Sequence, residues 1–286
     1  MRKNIINLII FAISIFLLFA CTTTNTANTK KSTKKTVVAR EVKAYSGAEI
    51  HTRQSQMYGK YEARMLMAAG SSVVSSMFLY YNNSYIGGKE PWCEVDIEII
   101  GKNPASFQTN MITGNAKNKA TSEKHHAILP QANAVYHIYS IEWTPSYVAW
   151  LIDGVVVRKT ERDFNDAKAQ VSALTREQSL RFNLWSSESV SWSGDFDEKI
   201  LPVHQFIDWV KVYSYTKGEG ENGSDFTLLW QDEFDSFDEN RWAKGRWTFE
   251  GNRAVMSPKN VNIVDGHLVL SLTKIGEEGF KGKIPF

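Results

Sequence analysis

The chain has 286 residues, of which 43% are hydrophobic and 22% are charged, with a formal net charge of +2. This is an ordinary globular composition, with enough apolar residues for a sizeable core, and all-β folds of this length are often a single domain. The small net charge gives no indication of nucleic-acid binding. The chain also has 9 Trp, 11 Tyr and 15 Phe. That abundance fits either β-sandwich packing or a surface on which sugar rings stack.

Residues 1–21 have the pattern of a bacterial secretion signal. Arg2 and Lys3 precede an apolar run from Ile5 to Ala20, which is short for a transmembrane helix. The run leads into Cys21 in a context similar to a lipoprotein cleavage site, with plain secretion or an uncleaved anchor as alternatives. We therefore predict lipidation at Cys21. The protein would be secreted and anchored at the cell envelope or surface, with that lipid as its only membrane contact.

Residues 22–44 are rich in Thr, Lys and Asn and are predicted to form a flexible tether, followed by one domain over residues 45–286. If Cys21 carries a lipid, Cys93 has no disulfide partner. Residue alternation places Cys93 with Val95 and Ile97, so we predict that it is a small buried hydrophobe rather than a nucleophile.

Short runs of β-branched and aromatic residues recur between turn signals along the domain. Two hairpins are predicted at Asp153-Gly154 and Asp265-Gly266, because Asp-Gly suits the positive φ angles of two-residue hairpin turns. The only passage with helical character is short, at roughly residues 163–177. The predicted class is all-β, an antiparallel β-sandwich.

The most unusual stretch is Glu94-Val95-Asp96-Ile97-Glu98, in which acidic and aliphatic residues alternate. A β-strand with this sequence presents three carboxyl groups in a row on one face and an apolar stripe on the other. Like charges two residues apart repel each other. The pattern therefore calls for a functional reason.

Three other predicted strands are two-sided in the same way, with polar and aromatic residues on one face. These residues are Phe78, Tyr80 and Asn82, then Gln108 and Asn110, then Arg181, Asn183 and Trp185. Carboxylates, carboxamides, an arginine and flat rings suit sugars, whose hydroxyls take bidentate hydrogen bonds and whose C–H faces pack on aromatic rings. We predict a carbohydrate groove rather than a plain solvated face.

The spacing of the acidic residues suits glycoside hydrolysis. At about 3.3 Å per residue the Cα atoms of Glu94 and Glu98 lie roughly 13 Å apart. Side chains leaning toward each other could reduce the carboxyl separation to about 5–6 Å, as in retaining glycosidases. Asp96 would lie between them and hold the nucleophile through a shared proton. A metal site is the competing interpretation, disfavoured because the cluster contains no His and Ca²⁺ ligands usually come from a loop.

This run, followed by Ile99-Ile100-Gly101, resembles the active-site signature of family 16 glycoside hydrolases, which are jelly-roll β-sandwiches that cleave β-glucans with retention. No extra residue separates Asp96 from Glu98. In this it is similar to the lichenases, which cut mixed-linkage β-1,3-1,4-glucan, and to the xyloglucan transferases, whereas laminarinases usually insert a Met. The resemblance implies that Glu94 is the nucleophile, Glu98 the acid/base and Asp96 the helper.

The resemblance extends over almost everything from Tyr45 onward and implies a substrate cleft. The residues that fall where lichenases line that cleft are Phe78, Tyr80, Asn82, Gln108, Asn110, Glu123, Arg181, Asn183, Trp185 and Trp192.

The order of the motifs implies a circular permutation. Residues 206–213 resemble the strand that ends most family members, yet the chain continues through a glycine-rich segment, residues 216–225, into residues 230–242. The Asp-Glu-Phe-Asp…Trp signature there usually opens the domain, as if the segment joined the ancestral termini. The permuted lichenases known from rumen fibre-degrading bacteria have this order. By that likeness Trp247 is a further stacking platform, with core packing as the alternative.

We therefore predict a monomeric, retaining endo-β-1,3-1,4-glucanase that acts on β-glucan and needs no cofactor for its chemistry. The pKa of Glu98 is expected to be raised while Glu94 stays charged. Whether a structural Ca²⁺ is bound through backbone carbonyls is left open, because such ligands leave no trace in a sequence. The alternatives are a hydrolase or transglycosylase of β-1,3-glucan or xyloglucan, and a non-catalytic glycan-binding lipoprotein.

Overall fold

The computed structural model describes residues 43–285. The predicted signal, Cys21 and residues 22–42 of the predicted tether lie outside the described residues. Regular structure from residue 43 to residue 285 is dominated by strands, with two α-helices of four residues each, α1 (Gln170–Ala173) and α2 (Val190–Ser193). No helix in this range is long and apolar enough to cross a membrane.

The strands follow one another along the described chain with short connections. They are β1 (Tyr45–Thr52), β2 (Gly59–Leu66), β3 (Val73–Tyr80), β4 (Trp92–Ile100), β5 (Ser106–Gly114), β6 (Lys119–Thr121), β7 (Lys124–Ala127), β8 (His137–Trp143), β9 (Tyr147–Ile152), β10 (Val155–Glu161), β11 (Ser179–Ser186), β12 (Val203–Tyr215), β13 (Phe226–Asp232), β14 (Trp242–Lys244), β15 (Ala254–Met256), β16 (Val261–Val264) and β17 (His267–Lys274).

One antiparallel layer contains the acidic strand, β4, near its centre. β4 pairs with β3 on one side and with β5 on the other. From β3 the layer continues through β11 and β1 to β14, and from β5 to β6 and β7.

The second antiparallel layer is arranged around β12. β2 lies along one side of β12, while β17 and β13 pair with successive halves of the other side. From β2 the layer continues through β8 and β9 to β10, and β16 pairs with β17. The two layers are joined where the start of β1 pairs with β17 and, in parallel, with β15.

The apolar face of β4 is packed between the two layers. Cys93, Val95, Ile97 and Ile99 are fully buried in one hydrophobic cluster that also contains core residues of β2, β8 and β12. Beneath the acidic face, Trp150 of β9 donates its indole N–H to the main-chain carbonyl of Asp96 at 3.0 Å. The predicted antiparallel sandwich and the buried, apolar environment of Cys93 are confirmed.

Both predicted hairpins are present, β9–β10 and β16–β17. Their turns have positive φ angles, 50° and 80° at Asp153 and Gly154, and 48° and 71° at Asp265 and Gly266. The passage with helical character contains only the single turn of α1. Turn chemistry is local, so these features follow directly from the sequence.

The glycine-rich segment, residues 216–225, connects β12 to β13, which are antiparallel neighbours. It is closed by main-chain hydrogen bonds from Thr216 to Asp225 and from Gly220 to Ser224. At the other end of the domain, the Ala44 carbonyl accepts a hydrogen bond from the Ile275 amide at 3.0 Å, so the predicted tether meets the fold at its last residue.

Candidate active site

The register of β4 brings the three acidic residues opposite side chains that were predicted to line the groove. Directly opposed residues on neighbouring strands share a face of the sheet. The pairs are Glu94 with Tyr80, Asp96 with Phe78 and Asn110, and Glu98 with Gln108. Glu98 also lies opposite Ser76, which was not predicted. Farther out, β11 and β1 extend the same face, with Arg181 opposite Phe78 and His51, and Asn183 opposite Ser76 and Glu49.

Burial changes the protonation of all three acids. Asp96 is only 4% exposed, whereas Glu94 and Glu98 are partly exposed. Desolvation raises the pKa of Glu94 to about 7 and that of Glu98 to about 8. Burial raises the pKa of Asp96 well above its usual range, and the charges of Glu94 and Glu98 raise it further. The three carboxyl groups are therefore not all ionised at neutral pH.

The predicted protonation was right for Glu98 and wrong in part for Glu94. The raised pKa of Glu98 is the one expected of a general acid. The pKa of Glu94 is raised as well, because desolvation outweighs its favourable contacts, so Glu94 is not fully ionised below pH 7.

Glu94 is held by Trp92, an aromatic donor that was not among the predicted site residues. The Trp92 indole N–H donates to Glu94 Oε2 at 2.5 Å, and the Lys119 ammonium lies 3.3 Å from the centroid of the same ring. These contacts and the Arg181 charge lower the pKa of Glu94, against desolvation and the charge of Glu49. Trp92, Lys119 and Arg181 thus favour the carboxylate that a nucleophile requires.

Glu98 is held by a carboxamide whose orientation is fixed from behind. Trp192 donates its indole N–H to Gln108 Oε1 at 3.1 Å, which leaves the Gln108 amide nitrogen to donate to Glu98 Oε2 at 3.2 Å. The charge of Glu123 lies near enough to raise the pKa of Glu98, after desolvation and the charge of Glu94. The structure thus brings three predicted cleft residues around the predicted acid/base.

A buried ion pair joins β11 to β1, on the far side of β3 from the acidic strand. Arg181 Nη1 donates to Glu49 Oε1 at 2.7 Å, Arg181 Nη2 to Asn82 Oδ1 at 2.8 Å, and Asn183 Nδ2 to Glu49 Oε2 at 3.3 Å. Burial raises the pKa of Glu49 even though Arg181 acts to lower it. Glu49 was not among the predicted site residues. Its only signal in the sequence is that it is the single acidic residue of β1.

Aromatic rings line the groove at both sides. Trp185 lies 6.0 Å from Trp192 and 4.9 Å from Phe249, measured between ring centroids. The Trp247 ring lies 5.4 Å from the ring of His51, and the Arg181 guanidinium lies 5.6 Å from its centroid. Trp247 is partly exposed and is not part of the hydrophobic core. These contacts favour the stacking platform over core packing.

Two predicted residues anchor loops as well as lining the groove. Asn82 lies just beyond the end of β3, where its carbonyl oxygen accepts from both Ser179 and Arg181. Asn110 Oδ1 accepts from the Ser122 amide at 3.0 Å, in the connection between β6 and β7. The Asn110 contact holds the backbone of the β6–β7 connection, and the Asn82 contacts join the end of β3 to β11 through side chains.

Asp232, an acidic residue near the predicted permutation point, has structural contacts. Asp232 is buried and accepts from the Trp242 indole at 2.8 Å and from Arg241 at 2.9 Å.

Over residues 43–285 there is no group of three or more His, Cys, Asp or Glu side chains arranged to hold a metal ion. A carbonyl-bound Ca²⁺ stays a prediction.

Known β-glucanases are similar in sequence to this chain. A β-glucanase of Fibrobacter succinogenes is 58% identical over 243 residues, covering 85% of this chain and 68% of that protein. A β-glucanase of Bacillus subtilis is 32% identical over 170 residues, covering 59% of this chain and 62% of that protein.

Solved structures share the fold. The catalytic domain of an endo-1,3-β-glucanase (laminarinase) from Thermotoga petrophila superposes with a TM-score of 0.50 at 19% identity, covering 59% of this chain and 76% of that one. The Crh5 transglycosylase has a TM-score of 0.50 at 25% identity, covering 64% of this chain and 72% of that one. The profile of Glycosyl hydrolases family 16 matches residues 19–211. The chain therefore belongs to Glycosyl hydrolases family 16.

Proposed function

We propose that this glycoside hydrolase is an endo-β-glucanase that cleaves β-1,4 linkages in mixed-linkage β-1,3-1,4-glucan by a retaining double displacement. The observation that carries the proposal is the row of Glu94, Asp96 and Glu98 on the groove face of β4. The β-glucanase relatives support β-glucan as the substrate class. The uninterrupted spacing of the three acids supports the mixed-linkage polymer. As a member of family 16, the chain needs no cofactor for this chemistry.

In the first step Glu94 attacks the anomeric carbon while Glu98 protonates the departing glycosidic oxygen. One C–O bond forms to Glu94, one C–O bond to the leaving sugar breaks, and the Glu98 proton moves to that oxygen. Trp92 holds Glu94 and Gln108 holds Glu98, so both carboxyl groups are oriented before substrate arrives.

In the second step Glu98 acts as a base. Esterification removes the charge of Glu94, which is the largest contribution to the raised pKa of Glu98 after desolvation. The pKa of Glu98 then falls, so Glu98 can accept a proton from the water that releases the sugar. Asp96, buried between the two, supplies a proton that can be shared with Glu94 while charge changes at its neighbours.

The groove supplies the binding contacts. Glu49, Arg181 and Asn82 form a preorganised polar network that presents carboxylate, guanidinium and carboxamide groups to hydroxyls. Trp185, Trp192 and Trp247 supply flat surfaces for sugar rings. This combination suits a chain of several glucosyl units rather than a single small sugar.

We also propose, from the sequence, that the protein is secreted, lipid-anchored through Cys21 and monomeric. A permuted chain order is proposed on two grounds. The family profile ends at residue 211, within β12, and β12 pairs through the glycine-rich segment with β13, which leads to the Asp-Glu-Phe-Asp run.

The test is a comparison of products from mixed-linkage glucan, laminarin, xyloglucan and carboxymethylcellulose. We expect cleavage of mixed-linkage glucan alone. Cleavage of laminarin or xyloglucan would instead support the alternative substrates, with transfer products marking a transglycosylase. Binding of a glucan without cleavage of any would support a non-catalytic glycan-binding protein.

A further inference from the structure

A lysine outside every predicted site position lies above the ring that holds the nucleophile. Lys119 begins β6 and is the register partner of Gly114 in β5, which is in turn the register partner of Trp92 in β4. This row of three strands places the Lys119 ammonium 3.3 Å from the centroid of the Trp92 ring. The same ring donates its N–H to Glu94 at 2.5 Å.

A cation over an indole ring acts on the hydrogen bond made at the edge of that ring. Attraction to the electron-rich face holds the cation and the ring together. The ammonium withdraws electron density, so the indole N–H becomes a stronger donor to a negative acceptor. The same positive charge also favours the ionised form of a nearby carboxyl group through space.

Other charged and titratable groups face Glu94 from β4 itself and from β3, β11 and β1. Asp96 and Glu98 on β4, Tyr80 on β3 and Glu49 on β1 are acidic groups, and Arg181 on β11 is the other cation whose charge lowers the pKa of Glu94. Arg181 already binds the buried carboxylate of Glu49 and the Asn82 carbonyl. Lys119 has no such competing partner among the hydrogen bonds and ion pairs of residues 43–285.

We propose that Lys119 is a positioning residue, which acts through Trp92 to keep Glu94 ionised and aimed at the anomeric carbon. This inference rests on the proposed role of Glu94 as nucleophile. Lys119 is exposed, so its effect is expected to be screened by salt.

The direction of the expected shift in the pH profile follows from the protonation states that the free enzyme requires. In the free enzyme kcat/KM requires ionised Glu94 and protonated Glu98, so the profile rises with pH near 7 and falls near 8. Without Lys119 the pKa of Glu94 rises and the acid limb moves upward. Glu98 owes its raised pKa to desolvation, Glu94 and Glu123, so the basic limb stays in place.

The experiment is the pH profile of kcat/KM on mixed-linkage glucan for Lys119→Gln, Lys119→Arg and wild type. We expect Lys119→Gln to move the acid limb up by about half a pH unit, roughly a threefold loss of kcat/KM below the limb, with the basic limb unmoved. Lys119→Arg should restore the wild-type limb. High salt should shrink the difference between Lys119→Gln and wild type.

Two matched variants control for charge and for the connecting segment. Lys117→Gln removes an exposed lysine two residues away and should leave both limbs in place. Glu123→Gln should move the basic limb downward, because the charge of Glu123 raises the pKa of Glu98. An unmoved acid limb in Lys119→Gln would overturn the inference. So would an equal loss at every pH, which would mean that Lys119 serves only the packing of the segment.

Carboxyl ¹³C NMR titration of Glu94 gives a readout that does not depend on turnover. A higher pKa of Glu94 in Lys119→Gln than in wild type supports the inference, and equal values refute it. Wild type that hydrolyses no β-glucan would contradict the proposed function instead, and the NMR comparison would still decide whether Lys119 acts on Glu94.

Discussion

Glu94 and Glu98 lie four residues apart on one strand face, yet their surroundings differ. Glu94 meets an indole donor, a lysine and the charge of Arg181, all of which favour its ionised form. Glu98 meets one carboxamide donor and the charge of Glu123, which opposes ionisation. These neighbours make the pKa of Glu94 lower than that of Glu98, in the direction that the proposed roles of nucleophile and acid require.

The Arg181–Glu49 pair should dominate the stability of the groove. Their side chains are only 10% and 3% exposed, so Arg181→Met leaves a buried carboxyl group without its cation. We expect a loss of about 3–5 kcal/mol in the free energy of unfolding, measured by denaturant titration. Adding Glu49→Leu to Arg181→Met should recover part of that loss. The exposed Arg162→Met is the control, with a change below about 0.5 kcal/mol. A loss below about 1 kcal/mol for Arg181→Met would contradict the buried-pair account.

For single residues, the sequence predicted which side chains share a strand face better than it predicted which distant residues they contact. Alternation along one strand is a local property, so the shared face of Glu94, Asp96 and Glu98 could be predicted from five residues. The contacts of Glu49 and Lys119 could not, because Arg181 is 132 positions from Glu49 and the Lys119 contact depends on the register of β5 and β6. No periodicity encodes register between distant strands.

Among the elements, the hairpins were the most predictable because their turns impose a local backbone demand. Asp-Gly supplies positive φ at both turn residues. The pairing of the start of β1 was harder to predict, because its parallel partner β15 lies about 200 residues away in the sequence.

Substitutions at two glycines distinguish the cost of backbone strain from the cost of close packing. Gly154 has φ of 80° and open space where a Cβ would lie, so Gly154→Ala should cost about 1 kcal/mol through backbone strain alone, and Gly154→Asn less. A Cβ on Gly47 would lie 2.7 Å from the Leu184 carbonyl, so Gly47→Ala should cost about 1–3 kcal/mol through the β1–β11 contact. Thermal unfolding of the three variants tests this, and an unchanged midpoint for Gly154→Ala would contradict the turn assignment.

For the whole molecule, the described fold is compatible with the proposed circular permutation. The segment after β12 leads directly to its neighbour β13, and the end of β17 lies beside the start of β1, where Tyr45 pairs with Lys274. A domain with two such junctions can be opened at either one. The sequence suggested this order only through the family resemblance, because composition and periodicity carry no information about chain order.

A variant with the proposed ancestral order tests the permutation. It would begin at Ser224, run to Phe286, continue through a Gly-Ser linker into Ala44 and end at Lys217. We expect it to fold and to hydrolyse glucan within a few-fold of wild type, by circular dichroism and reducing-sugar assay. A control opened between Phe206 and Ile207 should fail to fold, since that cut interrupts pairing with β2 and β17. Failure of the first variant, with folded wild type, would count against the permutation.

In the proposed mechanism Glu94 forms a covalent intermediate with the sugar, and trapping that intermediate is the decisive test. A 2-deoxy-2-fluoro oligoglucoside with an activated leaving group slows both steps through its effect on the oxocarbenium-like transition state, while the leaving group keeps the first step fast. The trapped enzyme is then digested and its peptides are sequenced by mass spectrometry. We predict one glycosyl ester, on Glu94. A label on Asp96 or Glu98, or no label from an enzyme that still hydrolyses glucan, would contradict the account.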